Sequence, residues 1–510
     1  MGWDWKEGLQ SILAARKKHT SPSDRILLLA LLAQQIYTLS RMNRLDEALE
    51  VITEGDAILD SLTAKERETG AYWVAFFEHR KGTYYFTEDW DTALEHTQRA
   101  LVLREEVGDF YGTVLTLGSL GELYSIKGDP NTALDYFQQA LVIAEQIGNL
   151  SLAAYIFTLI GAISNTKDEF NTALEYHQQA LSIYEKIDAS TGITEALNNI
   201  GFIYWSKGEL DTALEYSQQM LTVREAIGNP EGIAWALFLN GTVYRHKGEL
   251  NTSLDYWQRS LAIYEAAGND IGASFPLTSL ILLSLDQQDL VQARKYLTQL
   301  QKLHERTPDK TIHHKSRLAE ALVLKQSKRM RDKAQAQAIL QQLINEKRLF
   351  FDAAELGSVH AFNAAAIDLY ASDPRIHLCE LLLVEVKSFG DPEVWEEVKT
   401  LIQQLHVKAQ DYHSFSMIVD TLLLQAKVAA IDGDLQQALK YYEQARLTAE
   451  EKKLGLLGKK VDAEQKHFEA EFEKWQILIQ RNASIQERLN QSQLDDYIQQ
   501  VQKKVMHMED

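Results

Sequence analysis

GFIYWSKGELDTALEYSQQMLTVREAIGN occupies residues 201–229, and nearly the same sentence stands 40 residues before it and 40 residues after it. The neighbouring copies are GELYSIKGDPNTALDYFQQALVIAEQIGN (121–149), GAISNTKDEFNTALEYHQQALSIYEKIDA (161–189) and GTVYRHKGELNTSLDYWQRSLAIYEAAGN (241–269). Gly121, Gly161, Gly201 and Gly241 hold the register, as do Ala133, Ala173, Ala213 and Ser253. A fixed period in this range is the signature of a solenoid, whose units bury apolar faces against one another. Each unit reads as two amphipathic helices. The first ends near Lys127-Gly128, Lys207-Gly208 or Lys247-Gly248, where lysine complements the helix dipole and glycine accepts the left-handed cap conformation. The second is expected to open at Asn131-Thr132, Asn171-Thr172, Asp211-Thr212 and Asn251-Thr252, whose side chains can cap free N–H groups. It closes at Gly148-Asn149, Gly228-Asn229 or Gly268-Asn269.

Glycine inside a helix costs about 1 kcal/mol relative to alanine, so Gly121, Gly161, Gly201 and Gly241 imply close packing against the second helix. Its small partners are Ala133, Ala173, Ala213, Ala140 and Ala180, with Tyr124, Tyr204 and Tyr244 filling the space beside them. This small-large pattern, carried by Gly201, Tyr204, Gly208, Ala213 and Ala180, resembles the tetratricopeptide repeat (TPR). The unit exceeds the usual repeat of about 34 residues, as in the long-repeat branch that includes kinesin light chain and the LGN/Pins adaptors. It departs from the pattern at Ser164, Met220 and Ser260. The resemblance implies an all-α fold, a right-handed superhelix of stacked antiparallel helix pairs.

Composition allows one elongated body. The chain has 510 residues, 45% of them hydrophobic, only seven prolines and no low-complexity linker. A cap helix and divergent repeat are expected over 1–68, a regular array over 69–309, degenerate repeats over 310–450 and a long capping helix over 451–510. Within the second segment, Lys81 and Gly82 leave the first-helix register open by one residue, and Pro276 is placed near a helix start. Helices are expected near 334–347, 353–371, 375–389 and 392–410. In the last segment Phe468, Phe472, Trp475, Ile479, Ile485 and Leu489 form an apolar stripe, suited to capping the array or to homodimerisation through that helix.

Net charge is −20 with 72 acidic against 52 basic residues. Such acidity repels phosphate backbones and anionic lipid, so neither nucleic acid nor membrane is an expected partner. It reads first as a solvated exterior and second as a preference for a basic partner. No run of 18 apolar residues occurs, the opening MGWDWKEGLQ lacks a signal-peptide layout, and the single Cys379 fits a reducing compartment, so a cytoplasmic protein is expected.

No enzyme chemistry is legible. Gly455-Leu456-Leu457-Gly458-Lys459 is too short for a phosphate loop, His313-His314 has no accompanying metal-ligand spacing, and Cys379 sits on an apolar helix face. Neither a cofactor nor a metal is expected. The family resemblance instead places a ligand groove on the inward faces of the first helices. Mapping those faces gives Tyr155, Asn165, Asn198, Asn199, Phe202, Trp205, Trp235, Phe238, Arg245 and His246 as candidate peptide-binding residues. Asparagine amides match both sides of a peptide bond, while aromatics and arginine are common binding anchors. The leading expectation is a non-enzymatic adaptor holding an extended peptide or protein segment. The alternative is a MalT-like sensor array, responding through the 310–450 region to a small molecule or signalling protein.

Overall fold

The computed structural model describes residues 5–498 apart from 20, 22–23, 42–43, 87–88, 167–168, 208, 308, 347–372, 412–414, 452–454 and 495. Every regular element among the described residues is a helix. The four sharp copies become the pairs Phe110–Ile126 with Pro130–Gln146, Leu150–Thr166 with Phe170–Lys186, Ser190–Ser206 with Leu210–Ile227, and Pro230–His246 with Leu250–Ala267. Asp270–Asp286 with Leu290–Arg306 and Lys310–Lys325 with Met330–Asn345 carry the period onward. The chain is an all-α repeat solenoid. Two compact units fall within Met1–Ser164 plus Asn171–Ala196, and within Asn165–Phe170, Leu197–Phe350 and Phe362–Asp510.

Local chemistry explains the helix ends. Gly148, Gly228 and Gly268 adopt positive φ of 66°, 73° and 66°, and the asparagine after each caps the next helix. Asn149 Oδ1 accepts from Leu152 N at 3.1 Å, and Asn269 Oδ1 from Gly272 N at 2.7 Å. The second helices start two residues earlier than their Asn-Thr pairs suggest. Asp129 is the cap, accepting from Thr132 N at 3.1 Å and from Thr132 Oγ1 at 2.7 Å, so Asn131 lies inside the first turn. At the open register, Gly82 rather than Lys81 meets the second helix, at Thr97.

In the first unit, Ala133, Phe137, Ala140 and Ala144 of one second helix pack with Leu152, Ile156, Leu159 and Ile163 of the next first helix. In the second unit, a large core joins Leu318–Leu343, Ile376–Val386, Val419–Ile431 and the chain's last helices, and it includes Cys379. Burial there pushes the Cys379 thiol well above its ordinary pKa.

Three expectations are corrected. The 451–510 segment is not one long helix: Gly455–Ala470, Phe472–Gln480 and Ile485–Ser492 replace it. Asn482 turns to φ 52°, and Ser484 opens the last helix with a capping box to Glu487. The apolar stripe on these pieces is packed inside the chain's own core, with Phe468, Trp475 and Leu489 buried. Pro276 lies inside Asp270–Asp286, beyond its first turn. The expected helices over 375–389 and 392–410 form as Pro374–Phe389 and Pro392–Asp411, whereas that over 353–371 lies outside the described residues.

Candidate functional site

Four positions recur on the inner side of each first helix, and chemistry changes along them. In the first unit they bring together Glu122, Tyr155 and Glu195. Burial first, and the Glu195 charge second, raise the Glu122 carboxyl to about 7. Burial and both carboxylates raise the Tyr155 phenol well above its usual range. Deeper in that unit, His79 Nε2 lies 3.0 Å from Ser119 Oγ, a contact that resembles a nucleophile beside its base. The other ring nitrogen faces Thr116 Oγ1 at 3.5 Å instead of a carboxylate. Burial, then the Arg104 and Arg80 charges, hold His79 well below 6.5, so it stays neutral inside the packing.

In the second unit a crevice of about 30 Å³ opens among Asn198, Gly201, Phe202, Trp205, Ser217 and Trp235. Phe202 and Trp205 stack with centroids 5.6 Å apart, and Trp235 leans on Phe238 at 5.4 Å. Trp205 and Trp235 are each half-buried, so both keep a wet edge. Asn198 is 7% exposed, and neither its Nδ2 nor the buried Trp205 Nε1 has a hydrogen-bond partner in the protein. An unmet buried donor costs about 1–3 kcal/mol, so two on one wall mark a place prepared for acceptor oxygens.

The remaining candidates are placed differently. Phe238 is buried and stacks toward Phe275 at 6.0 Å, and Asn199 is 1% exposed. Arg245 is 6% exposed, and its Nη2 donates to Asp286 Oδ2 at 2.7 Å. His246 is 2% exposed, with Nδ1 2.7 Å from the Thr242 carbonyl and the ring edge-on to Trp205. Asn165 is buried with an unpartnered Oδ1. Sequence reasoning did not single out Ser217, although its size was readable against Phe137, His177 and Trp257 at the same repeat position.

A second, polar cleft of about 490 Å³ is lined by His313, Arg317, Gln342, Asn345 and Glu346. His313 pairs with His304 at 3.2 Å instead of with its neighbour His314. Burial and the charge of His313 push His314 down to about 3. Among the described residues, no group of three or more His, Cys, Asp or Glu is placed to hold a metal ion, and no helix is long and apolar enough to cross a membrane.

Stacked helix pairs with small residues at the crossings and a differentiated inner face define a TPR-type repeat protein. More specifically, the chain belongs to the MalT-like TPR region family, whose sequence profile matches residues 79–348. Among solved structures, the apo form of RapI is similar at 14% identity and a TM-score of 0.50, over 75% of this chain and 99% of that one. Aspartyl phosphate phosphatase F from Bacillus subtilis matches at 15% identity and a TM-score of 0.43, over 63% of this chain and 94% of that one. A STAND protein with a tetratricopeptide repeat sensor from Pyrococcus horikoshii matches at 18% identity and a TM-score of 0.40, over 52% and 42%. These likenesses concern the fold alone. No curated protein matches the sequence.

Proposed function

We propose that this chain is a non-enzymatic, cytoplasmic interaction scaffold that holds an extended segment of a partner protein against the first helices of its second unit. The observation that carries this reading is the pair of unmet donors, Asn198 Nδ2 and Trp205 Nε1, beside the half-buried Trp205 and Trp235 rings. Aromatic edges give contact area at low entropic cost, and the amide donors fit backbone carbonyls. Arg245 is left out of this set because it already neutralises Asp286. Glu122 and Glu195 on the first unit's inner face supply the preference for a basic partner segment.

The test compares capture from source lysate by wild type and by an Asn198→Ala/Trp235→Ala variant of unchanged helicity. Partners retained by the first and lost by the second support the reading. Equal retention by both refutes it.

The polar cleft at His313, Arg317, Gln342, Asn345 and Glu346 supports a second reading, in which the 310–450 region senses a small polar ligand, as a MalT-like array would. A metabolite panel that leaves small-angle scattering unchanged would count against it.

A further inference from the structure

We infer that the crevice of the second unit is a subsite for one small aliphatic side chain, with a peptide carbonyl bonded to Asn198 and Trp205; this rests on the scaffold reading above. The repeats themselves show how the crevice arises. In three of the four sharp copies a ring lies on the first-helix glycine: Phe137 on Gly121, His177 on Gly161 and Trp257 on Gly241. A Cβ added at Gly161 or Gly241 would come within 2.7 Å of that ring. At the equivalent place beside Gly201 stands Ser217, and an added Cβ would meet nothing nearer than Tyr216 Cβ at 3.4 Å.

The serine does not turn back to fill the gap. Its Oγ donates to the Leu214 carbonyl at 3.0 Å and toward Asn240 Oδ1 at 3.3 Å, while Asn240 Nδ2 donates to the Ser217 carbonyl at 3.2 Å. The space a ring occupies elsewhere therefore stays partly open, bounded by Gly201, Ala213, Ser217 and Met220.

Its chemistry limits the occupant. None of the lining residues is charged, so a lysine, arginine, aspartate or glutamate side chain would lose its hydration without a counter-charge. About 30 Å³ is far below the cavity of about 150 Å³ that admits benzene, so an aromatic ring is too large. Methyl-bearing tips such as those of alanine, valine or leucine match that room. Two buried N–H groups without acceptors call for oxygen at the same place, and an extended peptide presents its carbonyl a few ångströms from its side chain.

The experiment uses the full chain with 15N-labelled tryptophan indoles, the Trp205 signal being identified by its loss in Trp205→Phe. N-acetyl-leucine-N-methylamide is titrated against N-acetyl-lysine-N-methylamide. The expected result is a saturable downfield shift of the Trp205 indole proton with the leucine probe, at least tenfold weaker with the lysine probe. It should vanish in Ser217→Phe, whose ring refills the crevice. Where Ser217→Phe misfolds, Ser217→Leu takes its place with the same expectation. An unmoved Trp205 signal, equal response to both probes, or a shift that survives refilling overturns the inference. Failure here with capture still lost in Asn198→Ala/Trp235→Ala would leave the scaffold standing without this subsite.

Discussion

At residue scale the repeats contain their own compensated substitutions. Arg104, Tyr184, Arg224 and Tyr264 each lie over a glycine, respectively Gly112, Gly192, Gly232 and Gly272, where a Cβ would overlap the side chain. In the remaining copy the sizes are exchanged: Ala144 is small and Leu152 fills the space from the other helix. The two positions therefore share one volume. Gly192→Leu alone is expected to destabilise by about 2–3 kcal/mol through overpacking, and Tyr184→Ala added to it should recover more than about 1 kcal/mol of that. Urea unfolding of the four-member cycle measures this, and simple additivity would refute the shared volume.

Glu122 gives a pH-dependent counterpart. Its folded pKa, about 7, lies above the unfolded carboxyl value, so the charged form is the one the fold disfavours. Stability therefore falls as pH rises from about 4.5 toward 7 and is level above that. Glu122→Gln should be worth about 1–2 kcal/mol at pH 8, after allowance for partial exposure, and close to nothing at pH 4.5. A gain that is the same at both pH values would contradict this.

At the scale of elements, helix ends show what the sequence made legible and what it did not. Glycine after a lysine-bearing last turn is unambiguous because few other residues accept the left-handed conformation. Asp188 stands where Gly148, Gly228 and Gly268 stand, at φ 53°. Asp188→Gly is expected to raise stability by up to about 1 kcal/mol, seen as a higher melting temperature; a lower one would show that the aspartate makes a compensating contact. The caps of the second helices were harder to place. Asp129 and Asn131 are both good capping residues, and only the backbone shows which of them lies outside the helix. The break in the chain's last helices had a readable signal, Ser484 with Glu487 three residues on, which the longer apolar stripe obscured.

At the scale of the whole molecule, the fold was legible because one period of 40 residues is spelled out four times. The site was legible only in part. Inner faces follow from the period, and Asn198, Trp205 and Trp235 do line one crevice. Whether an inward side chain stays open depends on what the following repeat places against it. Arg245 meets Asp286, 41 residues on, and His246 is enclosed beside Trp205, neither of which periodicity discloses. Ser217 matters through the ring it lacks, which becomes apparent only when the copies are compared in three dimensions.

The central claim is that a partner segment lies on the second unit's inner face. The most direct measurement replaces Trp235 with the photo-crosslinker p-benzoylphenylalanine, and separately replaces Val291, 82% exposed on Leu290–Arg306. After irradiation in source lysate, the scaffold account predicts one defined adduct from position 235 and none from 291. Equal adducts from both positions, or an adduct from 291 alone, would contradict it.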